Sequence, residues 1–141
     1  MLVFDLLNGQ IILPENLIIS SHTVPSQILK SFKPEEVKLL DLKNGWIHYQ
    51  LENVKLQNKY FKFDLCFLDE TLKSISFSFQ SQAYEPFSWD DWSEKEELQK
   101  CALFENWLTG EVGVHRKFLW GEIGAYYDNK GGGASIVMRY S

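Results

Sequence analysis

Apolar and polar residues alternate most regularly between positions 59 and 80. Phe61, Phe63, Leu65 and Phe67 share one side of the stretch 59–68. After Asp69-Glu70-Thr71, Leu72, Ile75, Phe77 and Phe79 continue the pattern, with Ser74, Ser76 and Ser78 opposite the last three. A period of two places one face on a core and the other in water, and predicts an antiparallel meander. Upstream, residues 37–43 and 46–51 flank Asn44-Gly45, and residues 2–7 and 10–13 flank Asn8-Gly9. Asn-Gly suits the two-residue turn of a hairpin, so two further hairpins are expected. Downstream, residues 117–127 and 134–140 read as two strands joined by Asp128-Asn129-Lys130-Gly131-Gly132-Gly133.

Two segments follow the helical period instead. Thr23 can cap, Pro25 suits a first turn, and Ile28, Leu29 and Phe32 share a face, which predicts a short helix over about 24–32 ending before Pro34. Ser93 and Glu96 have the spacing of a capping box and open a long helix over about 93–109, with Gly110 as its stop. Its apolar stripe reads as Leu98, Cys101, Ala102, Phe104 and Leu108, with Leu103 and Trp107 outside it. The fold class is α+β: a curved antiparallel sheet of about six strands, the long helix packed on one face, and the short N-terminal helix. Nothing repeats and no linker divides residues 1–141, which are read as a single domain.

Charge changes this picture at one place. The chain carries 14 Lys+Arg against 19 Asp+Glu, a net charge of −5. Residues 85–97 hold six acids and one base, which leaves 13 acids against 13 bases elsewhere. The whole excess therefore sits at the start of the long helix. A phosphate-binding surface needs the opposite sign, so nucleic acid is not an expected partner. Acids in a first helical turn complement the positive end of the dipole. Two or three would serve. Five between Asp90 and Glu97, beside Trp89 and Trp92, exceed that need, and aromatics set among charges are the material of binding hot spots.

Other candidate chemistry is thin. Gly131-Gly132-Gly133 leads into a strand pattern rather than a helix, so it reads as a turn and not as a phosphate cradle. His22, His48 and His115 stand in three segments without ligand spacing, and Cys66 and Cys101 form no Cys-x-x-Cys, so neither metal nor cofactor is expected. Both cysteines read as buried free thiols of a reducing compartment, and no Gly-x-Ser-x-Gly supports nucleophilic catalysis. No stretch approaches the ~20 apolar residues needed to span a bilayer, and the N-terminus lacks a basic leader. The expectation is a cytoplasmic protein that is not an enzyme and has no membrane partner.

Ser88-Trp89-Asp90-Asp91-Trp92-Ser93-Glu94, Trp107-Leu108, Trp120-Gly121-Glu122-Ile123, Tyr127-Asp128 and Ile136-Val137-Met138-Arg139-Tyr140 form a series. It resembles a family of small bacterial proteins with a Trp-Asp-Asp-Trp-Ser-Glu helix start and a C-terminal Trp-Gly hairpin. The likeness covers about residues 60 to 140, and Gly124-Ala125 and the glycine-rich last loop depart from it. That family looks like the immunity proteins of polymorphic and contact-dependent growth inhibition toxins, which bind and block one cognate toxin domain, often a nuclease. The resemblance implies a toxin domain as partner. Trp89, Asp90, Asp91, Trp92, Glu94, Glu96 and Glu97 are the expected binding surface. The alternative is a small-ligand protein whose pocket between sheet and helix is lined by Phe61, Phe63, Trp120 and Tyr126. The same four aromatics also read as ordinary core.

Overall fold

The structure is a computed structural model that describes residues 3–141; Leu2, the start of the first expected strand, lies outside them. Among the described residues, ten strands form two sheets. A small sheet joins β1 (Phe4–Asp5), β2 (Gln10–Leu13) and β3 (Leu17–Ile19) in sequence order. The large sheet contains β4 (Val37–Asp41), β5 (Trp46–Leu56), β6 (Lys59–Leu68), β7 (Thr71–Gln80), β8 (Lys117–Phe118), β9 (Gly121–Tyr127) and β10 (Ala134–Tyr140). Its order is β4-β5-β6-β7-β10-β9-β8, antiparallel throughout. Two α-helices among the described residues, α1 (Pro25–Ser31) and α2 (Glu94–Val112), complete the α+β fold. Seven strands replace the expected six because β8 and β9 are separate.

The alternation of β6 and β7 works as expected. Phe61, Phe63, Leu65, Phe67, Ile75, Phe77 and Phe79 are buried, and Ser74, Ser76 and Ser78 look outward. Each buried aliphatic or aromatic side chain contributes about 1.5–3 kcal/mol relative to exposure. This inner face is covered by α2, the small sheet and α1. Phe4 of the small sheet lies 5.5 Å from Phe61 and 5.4 Å from Trp107 of α2, so the covering elements meet over the sheet. Ile28 of α1 belongs to the same buried cluster. The sheet bends at a register shift between Leu51 and Val54 and at another between Cys66 and Phe67.

Several expectations are corrected. Both Asn-Gly pairs close four-residue connections, 6–9 and 42–45, rather than two-residue turns. Asp5 ties the first by accepting from the Asn8 amide N–H at 3.3 Å. Thr23 does not cap α1. Its buried hydroxyl accepts from Ser20 N–H at 2.9 Å, and Gln27 Oε1 holds the Val24 N–H instead, at 2.8 Å. Gly110 does not stop α2, which runs on to Val112 and closes when Gly113 N–H bonds Thr109 C=O.

The apolar stripe of α2 is also rotated from its predicted phase. Phe104 and Leu108 are fully buried, and Cys101, Trp107 and Val112 flank them, whereas Leu98, Ala102 and Leu103 face solvent. Trp107 takes the place expected for Leu98 and Ala102, and it packs on Phe4, Phe77 and Phe79.

The strand expected over 117–127 is broken at Leu119-Trp120. Leu119 is fully exposed, while Trp120 turns in, stacks on Phe118 and donates its indole N–H to Leu6 C=O at 3.1 Å. Tyr140 donates its hydroxyl to Gly9 C=O at 2.8 Å, so the small sheet is latched to the far edge of the large one. Burial pushes the Tyr140 phenol above its ordinary value of 10.0. Folding therefore favours the protonated phenol. The stability this contributes is complete below pH 10.0 and is lost as pH rises above that value, because the unfolded chain sheds its proton first. Tyr140→Phe is expected to lose about 1 kcal/mol at neutral pH, for the missing hydrogen bond. It is also expected to show a shallower alkaline decline than the native chain in urea titrations read at several pH values.

A candidate protein-binding surface at the start of the long helix

β7 hands the chain to α2 through residues 81–93, and side-chain bonds fix that crossing. Asn53 sits at the bulge of β5 with φ 54°, in the left-handed region that asparagine tolerates. Its amide grips the backbone of Tyr84 from both sides: Tyr84 N–H donates to Oδ1 at 2.6 Å and Nδ2 donates to Tyr84 C=O at 3.1 Å. The Tyr84 hydroxyl lies 2.8 Å from Ser78 Oγ, and Lys62 Nζ stands 4.6 Å from its ring centroid. Beyond Pro86, Ser88 Oγ accepts from Asp90 N–H at 3.2 Å and opens a single 3-10 turn, Trp89–Asp91. Ser93 Oγ then accepts from Glu96 N–H at 3.3 Å and caps α2. Of the two bonds of the expected capping box, this one is formed; Glu96 extends into solvent instead of returning to Ser93.

Two of the seven expected surface residues serve the fold from beneath. The Trp92 indole N–H donates to Gly132 C=O at 2.7 Å. Glu97 Oε1 accepts from Ala134 N–H at 3.1 Å, and its Oε2 pairs with Lys100 at 3.3 Å. Together they bind the helix start to the loop between β9 and β10. The glycine run has its explanation here. Gly132 has φ 74°, and a Cβ on it would meet the Trp92 indole at 2.8–3.1 Å. Only a residue without a side chain lets the loop lie flat on that ring.

The remaining five stay outside. Asp90, Asp91, Glu94 and Glu96 are exposed, and among the described residues none of them forms an ion pair. Trp89 is 62% exposed and Phe87 65% exposed, their rings edge to face at 4.8 Å. Trp89 also leans on Trp92 at 5.7 Å, so a row of three aromatics rises from the loop into solvent. Two large apolar rings this exposed, side by side, are not explained by packing. The field of the acids reaches across to β9: Tyr127 donates its hydroxyl to Glu94 Oε2 at 3.4 Å. Partial desolvation, then the Glu94 charge, pushes that phenol up. Below the acids an open groove of about 430 Å³ runs between Tyr84, Trp92, Lys62, Lys100 and the glycine loop.

Phe87 lies outside the surface expected from the sequence. Its signal was available: a large aromatic in an irregular connector, next to Pro86 and outside any apolar period. The four aromatics of the alternative pocket do not line one cavity. Phe61 and Phe63 fill the core, Trp120 covers Gly9, and Tyr126 lies on the outer face beneath Arg139, 5.0 Å from its guanidinium. No helix among the described residues is long and apolar enough to cross a membrane. Set against protein-family models, curated proteins and solved structures, the chain matches none.

Proposed function

We propose that this protein is an immunity-type inhibitor that binds a basic bacterial toxin domain through the surface formed by Phe87, Trp89, Asp90, Asp91, Glu94 and Glu96. The observation that carries the reading is the exposed Phe87–Trp89 pair standing in four carboxylates without ion-pair partners among the described residues. Such a surface supplies both parts of a fast, tight association. The acids steer a basic partner and reject acidic ones. The rings supply a rigid apolar anchor whose burial excludes water from the charges around it. Trp92 and Glu97 hold the patch in place and do not need to touch the partner. The resemblance to immunity proteins supplies the class of partner.

The test is a titration with a toxin domain encoded immediately upstream. Reversing Asp90, Asp91, Glu94 and Glu96 to lysine is expected to weaken binding by about 100-fold at low salt, with a smaller effect at high salt. Trp89→Ala is expected to cost about 2 kcal/mol or more, roughly thirtyfold in Kd, at either salt concentration. Native affinity in both variants would rule this surface out.

A further inference from the structure

The open face of the large sheet joins three groups that lie apart in the sequence. His48 on β5 and Cys66 on β6 are direct cross-strand partners, and Asp64 stands one pair along on the same face, opposite Gln50. Asp64 Oδ1 lies 2.8 Å from His48 Nδ1, and Asp64 Oδ2 accepts from the Gln50 amide at 3.2 Å. On its other side the imidazole Nε2 lies 3.7 Å from Cys66 Sγ. An ionised carboxylate only accepts, so Nδ1 carries the ring proton and the Nε2 lone pair is turned to the thiol. Carboxylate, imidazole and thiol thus stand in the order needed to draw a proton from sulfur.

All three side chains are half-buried on the open face rather than sealed in the core. A shallow depression of about 270 Å³ begins at Gln50 and Asp64 and runs from there along Lys62, Ser76, Ser78 and Ser135. Burial, and then the Asp64 charge, pushes the Cys66 thiol up, opposed by a hydrogen bond from Ser74. The thiol therefore rests protonated, and a base that takes its proton at the moment of attack has a large effect. Cys101, half-buried on α2, is a reference thiol in the same chain, with Glu105 rather than an imidazole as its charged neighbour.

We propose that Cys66 is a covalent modification site for a small disulfide, with His48 as the base and Asp64 as the residue that positions the ring. Cys66 Sγ attacks one sulfur of the disulfide as His48 Nε2 takes its proton. The incoming S–S bond breaks and a new one joins Cys66 to one half. The other half leaves as a thiolate and recovers the proton from His48. Cys66 is oxidised to a mixed disulfide and the reagent is reduced to one free thiol, so the reaction balances without a further oxidant.

The experiment treats the full chain with dithiodipyridine, an uncharged aromatic disulfide, and follows each cysteine by peptide mass mapping. Cys66 is expected to react roughly tenfold or more faster than Cys101 at neutral pH. His48→Gln is expected to bring Cys66 down to the rate of Cys101 while leaving Cys101 itself unchanged. Asp64→Ala is expected to slow Cys66, and Asp64→Asn, which still offers an oxygen to Nδ1–H, to restore most of the rate. A native Cys66 no faster than Cys101 would overturn the proposal, and so would a Cys66 rate unchanged in His48→Gln. The native ratio needs no variant, so a substitution that fails to fold leaves the test intact.

Discussion

Phe104→Ala is expected to destabilise the protein by about 3–5 kcal/mol, a large share of the 5–15 kcal/mol that typically holds a domain together. Phe104 is fully buried in the middle of α2, and its ring meets Phe79 at 4.9 Å. Truncation removes its own transfer energy and opens a cavity that α2 cannot close, because both helix ends are pinned. Trp92 and Glu97 tie one end to the glycine loop. Arg116 ties the other: it donates to Gly113 C=O at 2.7 Å and to Glu105 Oε1 at 2.7 Å, and its own C=O accepts from Ile123 N–H of β9 at 3.0 Å. Thermal unfolding should shift down by roughly 10–20 °C. Leu98→Ala and Leu103→Ala, on the exposed side of the same helix, should stay within about 0.5 kcal/mol of native. Equal losses at Leu98 and Phe104 would mean that the helix is turned as the sequence pattern suggested.

The second large effect is expected at Gly121, in the backbone rather than the core. Its φ of 147° is a conformation reserved in practice for glycine, and a side chain there costs roughly 1–3 kcal/mol in strain alone. A Cβ would also overlap the carbonyl oxygen of Arg139, a main-chain atom with no rotamer by which to move away. Gly121→Ala should therefore open the pairs Phe118↔Gly121 and Tyr140↔Gly121, and with them the Tyr140 bond to Gly9. The total loss is expected to reach about 3 kcal/mol or more, with amide exchange accelerated first at Glu122 and Ser141. Gly124→Ala is the comparison. Its Cβ would meet the Tyr126 ring, a side chain that can swing outward, so its cost should be clearly smaller.

The parts of the fold legible in the sequence are those where one local period dominates. Strands 59–68 and 134–140 begin and end where their alternation does. What the sequence hid was set at a distance. The rotation of α2 depends on Trp92 and Glu97 reaching residues 132 and 134, and no helical pattern contains that information. The extension of β5 past Leu51 depends on a bulge at Asn53, whose side chain is engaged by Tyr84. β3 escapes the pattern because Leu17-Ile18-Ile19 is too short a run to declare itself.

The candidate surface was legible to the same degree. Its charge could be counted, and Trp89, Asp90, Asp91, Glu94 and Glu96 do lie in the open. Counting could not show that Trp92 and Glu97 are occupied within the molecule, nor that Phe87 stands beside Trp89. The apolar neighbours of both cysteines suggest burial, yet both are half-exposed. His48 looked isolated because its partners come from another strand of the meander, in a pairing that no spacing rule counts.

The order of the large sheet bears on how the chain assembles. β9 and β8 reach the rest of the sheet only through β10, which follows them in sequence, and β10 is paired on its other side with β7. Addition of strands one by one from the N-terminus would therefore stall at β7. The edge of β7 must wait, unpaired, across more than fifty residues that include all of α2. The short-range partner of β10 is β9, so that hairpin can form first by local closure and dock on β7 as a unit. Docking brings the glycine loop under Trp92 in the same step. The late step of folding and the ordering of the acidic surface are then one event, and slowing the hairpin should delay both together.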